Sequence, residues 1–241
     1  MDEYEGLLKR FQFKIKKSLE KAIKSIRLYG SVAKGEGRYL RGESDIDLFI
    51  IIDKEADYFE TLLKISPLLN EFYDDPVASS LFDVIVVQEL EVPHAVNPIR
   101  LLEVKNGKII LGNDEIDSID LTDDAIKGGS LDMACEFNKR AREIALGIGG
   151  DIGDDELYWC AESVLGVTQA LLYFLGERDF TRLEAGELLQ KKFGDQFNAE
   201  IAIEATRLKV GGKVDNKKDF YNKSVVFCQK TIETIIKNLP K

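Results

Sequence analysis

The segment from Ile26 to Ile52, IRLYGSVAKGEGRYLRGESDIDLFIII, constrains this chain more than any other. An apolar strand runs into Gly30-Ser31, a polar glycine-bearing loop follows, and a second strand opens with Asp45 and Asp47. Side chains alternate across a strand with period two, so the two carboxylates share one face while Ile46 and Leu48 point to the other. Phe49, Ile51 and Ile52 extend the apolar run, as expected of a well-covered strand. Two aspartates side by side repel each other and lose hydration unless a cation joins them. A hard divalent ion with oxygen ligands, Mg²⁺ or Mn²⁺, is the simplest answer, and Mg²⁺ usually arrives with substrate phosphates. Gly30 lets backbone N–H groups approach a phosphate closely, and the Ser31 hydroxyl adds a donor. Together these features read as a nucleotide-handling site.

The same segment resembles the signature of the DNA polymerase β-type nucleotidyltransferase superfamily, Gly-Ser followed by a spacer and then Asp-x-Asp/Glu. The resemblance implies that Gly30 and Ser31 hold nucleotide phosphates and that Asp45 and Asp47 bind metal. It also implies a third carboxylate from a neighbouring strand. That position falls on Asp83 in SSLFDVIVVQ, where one acid interrupts the apolar run Leu81 to Val87. Asp45, Asp47 and Asp83 are then both the catalytic and the metal-binding residues. The spacer from Val32 to Ser44 has thirteen residues, longer than in the short bacterial and archaeal members such as the aminoglycoside nucleotidyltransferases. The extra length falls in a loop, where closure cost grows slowly. Lys34, the third nucleotide-binding candidate, stands where members often carry Arg. It keeps the charge but not the bidentate phosphate geometry.

Charge is distributed unevenly along the chain. The net charge is −10, yet residues 1–44 hold eleven basic and six acidic side chains, whereas residues 45–118 hold five basic and sixteen acidic. The positive part includes Lys34, Arg38 and Arg41 around the phosphate loop, which suits an incoming triphosphate. The acidic remainder argues against a long nucleic-acid partner, which needs a broad basic surface. No run approaches the roughly twenty apolar residues of a membrane span. The charged start MDEYEGLLKR is not a secretory signal, so a cytoplasmic protein without membrane association is expected. Cys135, Cys160 and Cys228 are odd in number and far apart. They are expected to be buried thiols rather than a disulfide or zinc site. His94 is the one histidine, and that leaves Ser/His/Asp and Cys/His nucleophile arrangements poorly supported.

Periodicity supplies the organisation. Tyr4 to Ile23 has helical spacing and leads into a strand at Ile26–Tyr29; further strands are expected at Ile46–Ile52 and Leu81–Val87. Ala56 to Phe72 reads as a crossover helix with a break before Pro67. NPIRLLEVKNGKIILG suggests a helix from Pro98, an Asn106-Gly107 turn and a last short strand. Beyond Leu121 the pattern is helical: Leu131–Leu146, Asp155–Gly176, Arg182–Phe193, Asn198–Arg207 and Asp219–Leu239, with glycine-bearing breaks between. This half resembles the helical domains of kanamycin nucleotidyltransferase-type enzymes and the HEPN bundles paired with minimal nucleotidyltransferases. HEPN ribonucleases use an Arg-x₄₋₆-His motif, and no histidine follows His94.

The sequence therefore predicts an α+β protein: a nucleotidyltransferase domain over residues 1–118 with a mixed β-sheet and flanking helices, then a HEPN-like helical bundle over 119–241. The expected activity is Mg²⁺-dependent transfer of NMP, with ATP as the default substrate, to a hydroxyl of a small molecule or protein, releasing pyrophosphate. Glu136 and Glu162 of the bundle are candidate proton acceptors beside Asp83, and Asp132, Glu136 and Asp155 would favour a cationic acceptor. A nucleotide-binding or antitoxin-like module without turnover is the alternative, and a homodimer is compatible with the bundle.

Overall fold

The computed structural model describes residues 2–35, 46–73, 82–147 and 152–239. The chain forms two compact units, Met1–Asp120 and Leu121–Lys241.

The first unit begins with helix α1 (Asp2–Leu19), whose Leu7, Phe11, Ile15 and Leu19 recur every four residues and are all buried, the spacing of a single apolar stripe. Strand β1 (Ile23–Tyr29) enters a five-residue helix α2 (Gly30–Lys34), and β2 (Ile46–Ile52) follows. Helix α3 (Tyr58–Tyr73) carries the chain over to β3 (Phe82–Gln88), which lies parallel to β2. Helix α4 (Pro98–Lys105) and strand β4 (Lys108–Gly112) complete the sheet, in order β3-β2-β1-β4. β1 is antiparallel to both neighbours, so the sheet is mixed.

Alternation sorts the strands into two faces. Ile26, Leu28, Ile46, Leu48, Ile50 and Ile52 pack with the α1 stripe and with Ile65 of α3 in one apolar core. The opposite face carries Arg27, Tyr29, Asp47, Phe49, Ile51 and Asp83, and α4 lies over its β1 side. Asn97 caps α4 by accepting a hydrogen bond from the Ile99 amide at 2.8 Å, with Pro98 next in line, a favoured N-terminal arrangement. The other end of α4 is held by Arg27. Its Nη1 donates to the Lys105 carbonyl at 3.2 Å and to Val104 at 3.5 Å, placing a cation on the negative end of the helix. The same guanidinium binds Asp114, with Nη2 to Oδ1 at 2.7 Å and Nε to Oδ2 at 3.0 Å, and Asp117 at 3.0 Å. Ser25 adds a hydrogen bond to Asp114 at 2.7 Å. Burial alone would raise the Asp114 pKa, but the hydrogen bonds from Arg27, Ser25 and the Ile116 amide hold it below the usual carboxylate range.

The second unit contains α5 (Asp123–Gly147), α6 (Asp154–Phe174), α7 (Ala185–Phe193), α8 (Ala199–Lys209) and α9 (Lys217–Asn238). α6 is its axis: every residue from Cys160 to Phe174 is buried, as a helix surrounded by others requires. No described helix is long and apolar enough to cross a membrane.

Several sequence expectations need adjustment. β1 starts at Ile23, three residues early, because Ile23 pairs with Ile52 at the sheet end instead of closing α1. α3 runs through Pro67 without a break; Pro67 is exposed, where the carbonyl it leaves unbonded can be hydrated. α5 begins at Asp123 and includes Gly128-Gly129, since packing of Ile126 and Ser130 outweighs their low propensity. Cys160 and Cys228 are buried, with the Cys160 thiol pushed up to about 11 by desolvation, but Cys135 is exposed. Residues 36–45, which comprise the rest of the spacer with Arg38 and Arg41, and Asp45, lie outside the described residues.

Asp114→Ala should cost about 3 kcal/mol in urea unfolding. It strands a guanidinium whose side chain is 2% exposed, while Asp117 still answers part of the charge; breaking a buried pair typically costs about 3–5 kcal/mol. Folding lowers the Asp114 pKa, so its stabilisation is complete above the unfolded value of about 3.9 and drains away as pH falls through the lower folded value. The variant should show a correspondingly flatter acid limb.

Candidate active site

The face opposite the α1–α3 core carries Arg27, Asp47 and Asp83. Tyr29 of β1 pairs with Asp47 of β2, and Asp47 pairs with Asp83 of β3. Residues directly opposite each other on neighbouring strands share a face, their Cα atoms about 5 Å apart. Asp47 is half-buried at the second position of its strand, whereas Asp83 is exposed on the edge strand. Among the predicted acids these two are brought together. Asp45 lies outside the described residues.

Gly30 is required here twice over. Its φ is +69°, and a Cβ placed on it would sit 1.8 Å from Asp47 Oδ2. The turn backbone is therefore packed on the carboxylate, an approach that only glycine allows. Ser31 follows in the first turn of α2 and is partly exposed; Lys34 is exposed in its last turn, before Gly35 closes the helix at φ +80°. Gly30, Ser31 and Asp47 thus form one contiguous surface, continued by Asp83.

Two further residues belong to this surface, and nothing in the sequence assigned them to it. The Tyr29 ring is fully buried, and its hydroxyl finds no hydrogen-bond partner among the described residues. Desolvation raises its pKa, opposed by Arg100 and reinforced by Asp47 and Asp83. Arg100 of α4 places its guanidinium carbon 5.6 Å from the centroid of that ring, within cation–π range. Burial disfavours its charge, but Glu103, Tyr29, Asp47 and Asp83 more than compensate and raise its pKa. The available signals were a tyrosine directly before Gly30 and an arginine in the first turn of a helix following the third acid.

The donor set is carboxylate oxygen, which suits a hard cation such as Mg²⁺ or Mn²⁺ rather than zinc. Among the described residues no cluster of three metal-ligating side chains forms; the expected set has two described members. Of the bundle candidates, Glu136 is exposed, while Glu162 is committed elsewhere and is corrected as a base. Its carboxylate pairs with Arg182 at 2.7 Å and with the buried Lys209. Desolvation would raise its pKa, but Arg182, Lys209 and Arg140 hold it below the usual range. A carboxylate so stabilised as an anion is a weak proton acceptor. His94 is exposed.

Residues 13–116 match the model of the family Polymerase beta, Nucleotidyltransferase. The matched region covers β1 to β4 and every residue of the surface described above. No curated protein matches the chain.

Comparing two glycines should separate backbone strain from the contact with Asp47. Gly35→Ala introduces a left-handed residue with nothing within 4 Å of its Cβ and should cost about 1–2 kcal/mol, the left-handed penalty. Gly30→Ala carries that penalty and also drives a methyl group into Asp47 Oδ2. It should be the more destabilising of the two in thermal unfolding.

Proposed function

We propose that this protein is a metal-dependent nucleotidyltransferase that moves NMP from a nucleoside triphosphate, ATP by default, to a hydroxyl of a small-molecule or protein acceptor. The observation that carries this reading is the register placing Asp47 beside Asp83, with the Gly30 backbone packed against Asp47. The family match over residues 13–116 supports nucleotidyl transfer in general.

In this reading the Gly30-Ser31 turn binds the triphosphate through backbone N–H groups and the Ser31 hydroxyl. Asp47 and Asp83, with Asp45, hold Mg²⁺ or Mn²⁺. When bound, the metal neutralises phosphate charge and orients the reacting oxygens. The acceptor hydroxyl attacks the α-phosphorus in line; its O–P bond forms as the bond to the β-phosphate oxygen breaks, and pyrophosphate leaves. In this reading the hydroxyl proton passes to Asp83, which is exposed on the edge strand. Most of the rate comes from positioning and from charge matched to the transition state.

Incubation with each of the four labelled triphosphates and Mg²⁺, with and without cell lysate, should give pyrophosphate and a labelled acceptor. Asp47→Asn should weaken triphosphate binding and its metal dependence. Asp83→Asn should lower turnover about a hundredfold or more, the scale for losing a transition-state contact, with much less change in affinity. Equal, metal-independent binding by wild type and Asp47→Asn would overturn the site. Tight metal-dependent binding without pyrophosphate release would favour a nucleotide-binding module.

A further inference from the structure

Arg100 differs from Arg27 in how its donors are used. Arg27, its counterpart on the same face, is consumed by Asp114, Asp117 and two carbonyls. Arg100 is not. Among the described residues the one hydrogen bond it donates runs from Nη1 to Glu103 at 3.4 Å, long for a charge-assisted bond. Its side chain is 41% exposed. The remaining guanidinium N–H groups have no protein acceptor among the described residues.

Its position is nevertheless fixed. The Tyr29 ring beneath it is fully buried in β1. A Cβ on Gly107 would approach Tyr29 Cβ to 3.1 Å and the Leu28 carbonyl to 2.5 Å, so the turn after α4 is pressed onto that strand. Asn97 caps one end of α4 and Arg27 binds the carbonyls at the other. An arginine on a clamped helix above a buried ring has already given up much of its freedom, so a ligand need order it little further, which is preorganisation. The planar fork matches two oxygens of a carboxylate or phosphate. A free carboxylate ligand would be repelled by Asp47 and Asp83. A metal-bound polyphosphate would not: the cation answers the acids, and the phosphate oxygens answer the arginine.

We propose that Arg100 is a triphosphate-binding residue, supplying to the phosphate chain the bidentate contact that Lys34 cannot make. This rests on the nucleotidyltransferase reading and adds α4 to the phosphate-binding surface, which the sequence placed in the segment from Gly30 to Arg41.

The test is isothermal calorimetry and kinetics on the full chain, using a non-hydrolysable ATP analogue with Mg²⁺, AMP, and pyrophosphate as a product inhibitor. Arg100→Gln should weaken analogue binding tenfold or more and weaken pyrophosphate inhibition in parallel, while AMP binding changes little. Arg100→Lys should recover part of the loss, since it restores charge without the fork, and it serves as a second variant if the glutamine protein folds poorly. If wild type binds the analogue and both variants bind it equally well, Arg100 has no phosphate role. An Arg100→Gln protein that binds Mg²⁺ alone more tightly, with unchanged affinity for the analogue, would mark Arg100 as a counter-charge to the aspartates and overturn the proposal. No binding of any triphosphate by wild type would instead defeat the nucleotidyltransferase reading, and this inference with it.

Discussion

Everything proposed for the first unit depends on the register between β2 and its two neighbours. Ile46, Leu48 and Ile50 alternate with Asp47, Phe49 and Ile51, and the first set is sealed against α1 and α3. A slip of one residue would turn Asp47 into that apolar core and expose Ile46 or Leu48 in its place. Burying an unpaired carboxylate costs several kcal/mol at least, so the apolar pattern alone selects one pairing. That pairing puts Asp47 between Tyr29 and Asp83. The site is therefore a by-product of how the core packs, and Gly30 is its steric complement, vacating the volume that the Asp47 carboxylate fills.

Arg27 serves the same face in a different way. Buried ion pairs are poor sources of net stability, because desolvation roughly cancels attraction. Their directional hydrogen bonds can still fix one arrangement among several. Arg27 links Asp114 and Asp117, after β4, to the last carbonyls of α4. One side chain thereby ties two separate parts of the unit to β1. The helix so anchored is the one carrying Arg100, so a buried structural arginine sets where a half-exposed one stands.

The sequence displayed local features well and distant partnerships poorly. β2 was legible to the residue, because an apolar alternation bounded by aspartates admits little else, and α4 with its Asn106-Gly107 turn followed from Pro98 and the glycine. Gly30, Ser31 and the acids were legible as a spaced pattern. Arg27 and Arg100 were not: their partners lie far along the chain or on another element, and an arginine inside a strand or helix looks the same whether buried or solvated. Pro67 misled, and the expected start at Leu131 left Gly128-Gly129 out of α5, for a related reason. Propensity is worth about 1 kcal/mol at a glycine, less than tertiary packing contributes around Ile126 and Ser130.

The helical unit shows how buried charge can be withdrawn from chemistry. α6 is enclosed on all sides, so a carboxylate at Glu162 could persist only with partners, and Arg182 of the segment before α7 and Lys209 of α8 provide them. The Lys209 ammonium also lies 3.6 Å from the Tyr158 ring centroid, and Arg140 stacks on Trp159 at 4.6 Å. Glu162 is thereby committed within the bundle, and its two pairs tie α6 to the segment before α7 and to α8. In the first unit Asp47 and Asp83 share a face with Arg100, which has donors to spare among the described residues, so that face carries both signs of charge, as does the ligand proposed for it.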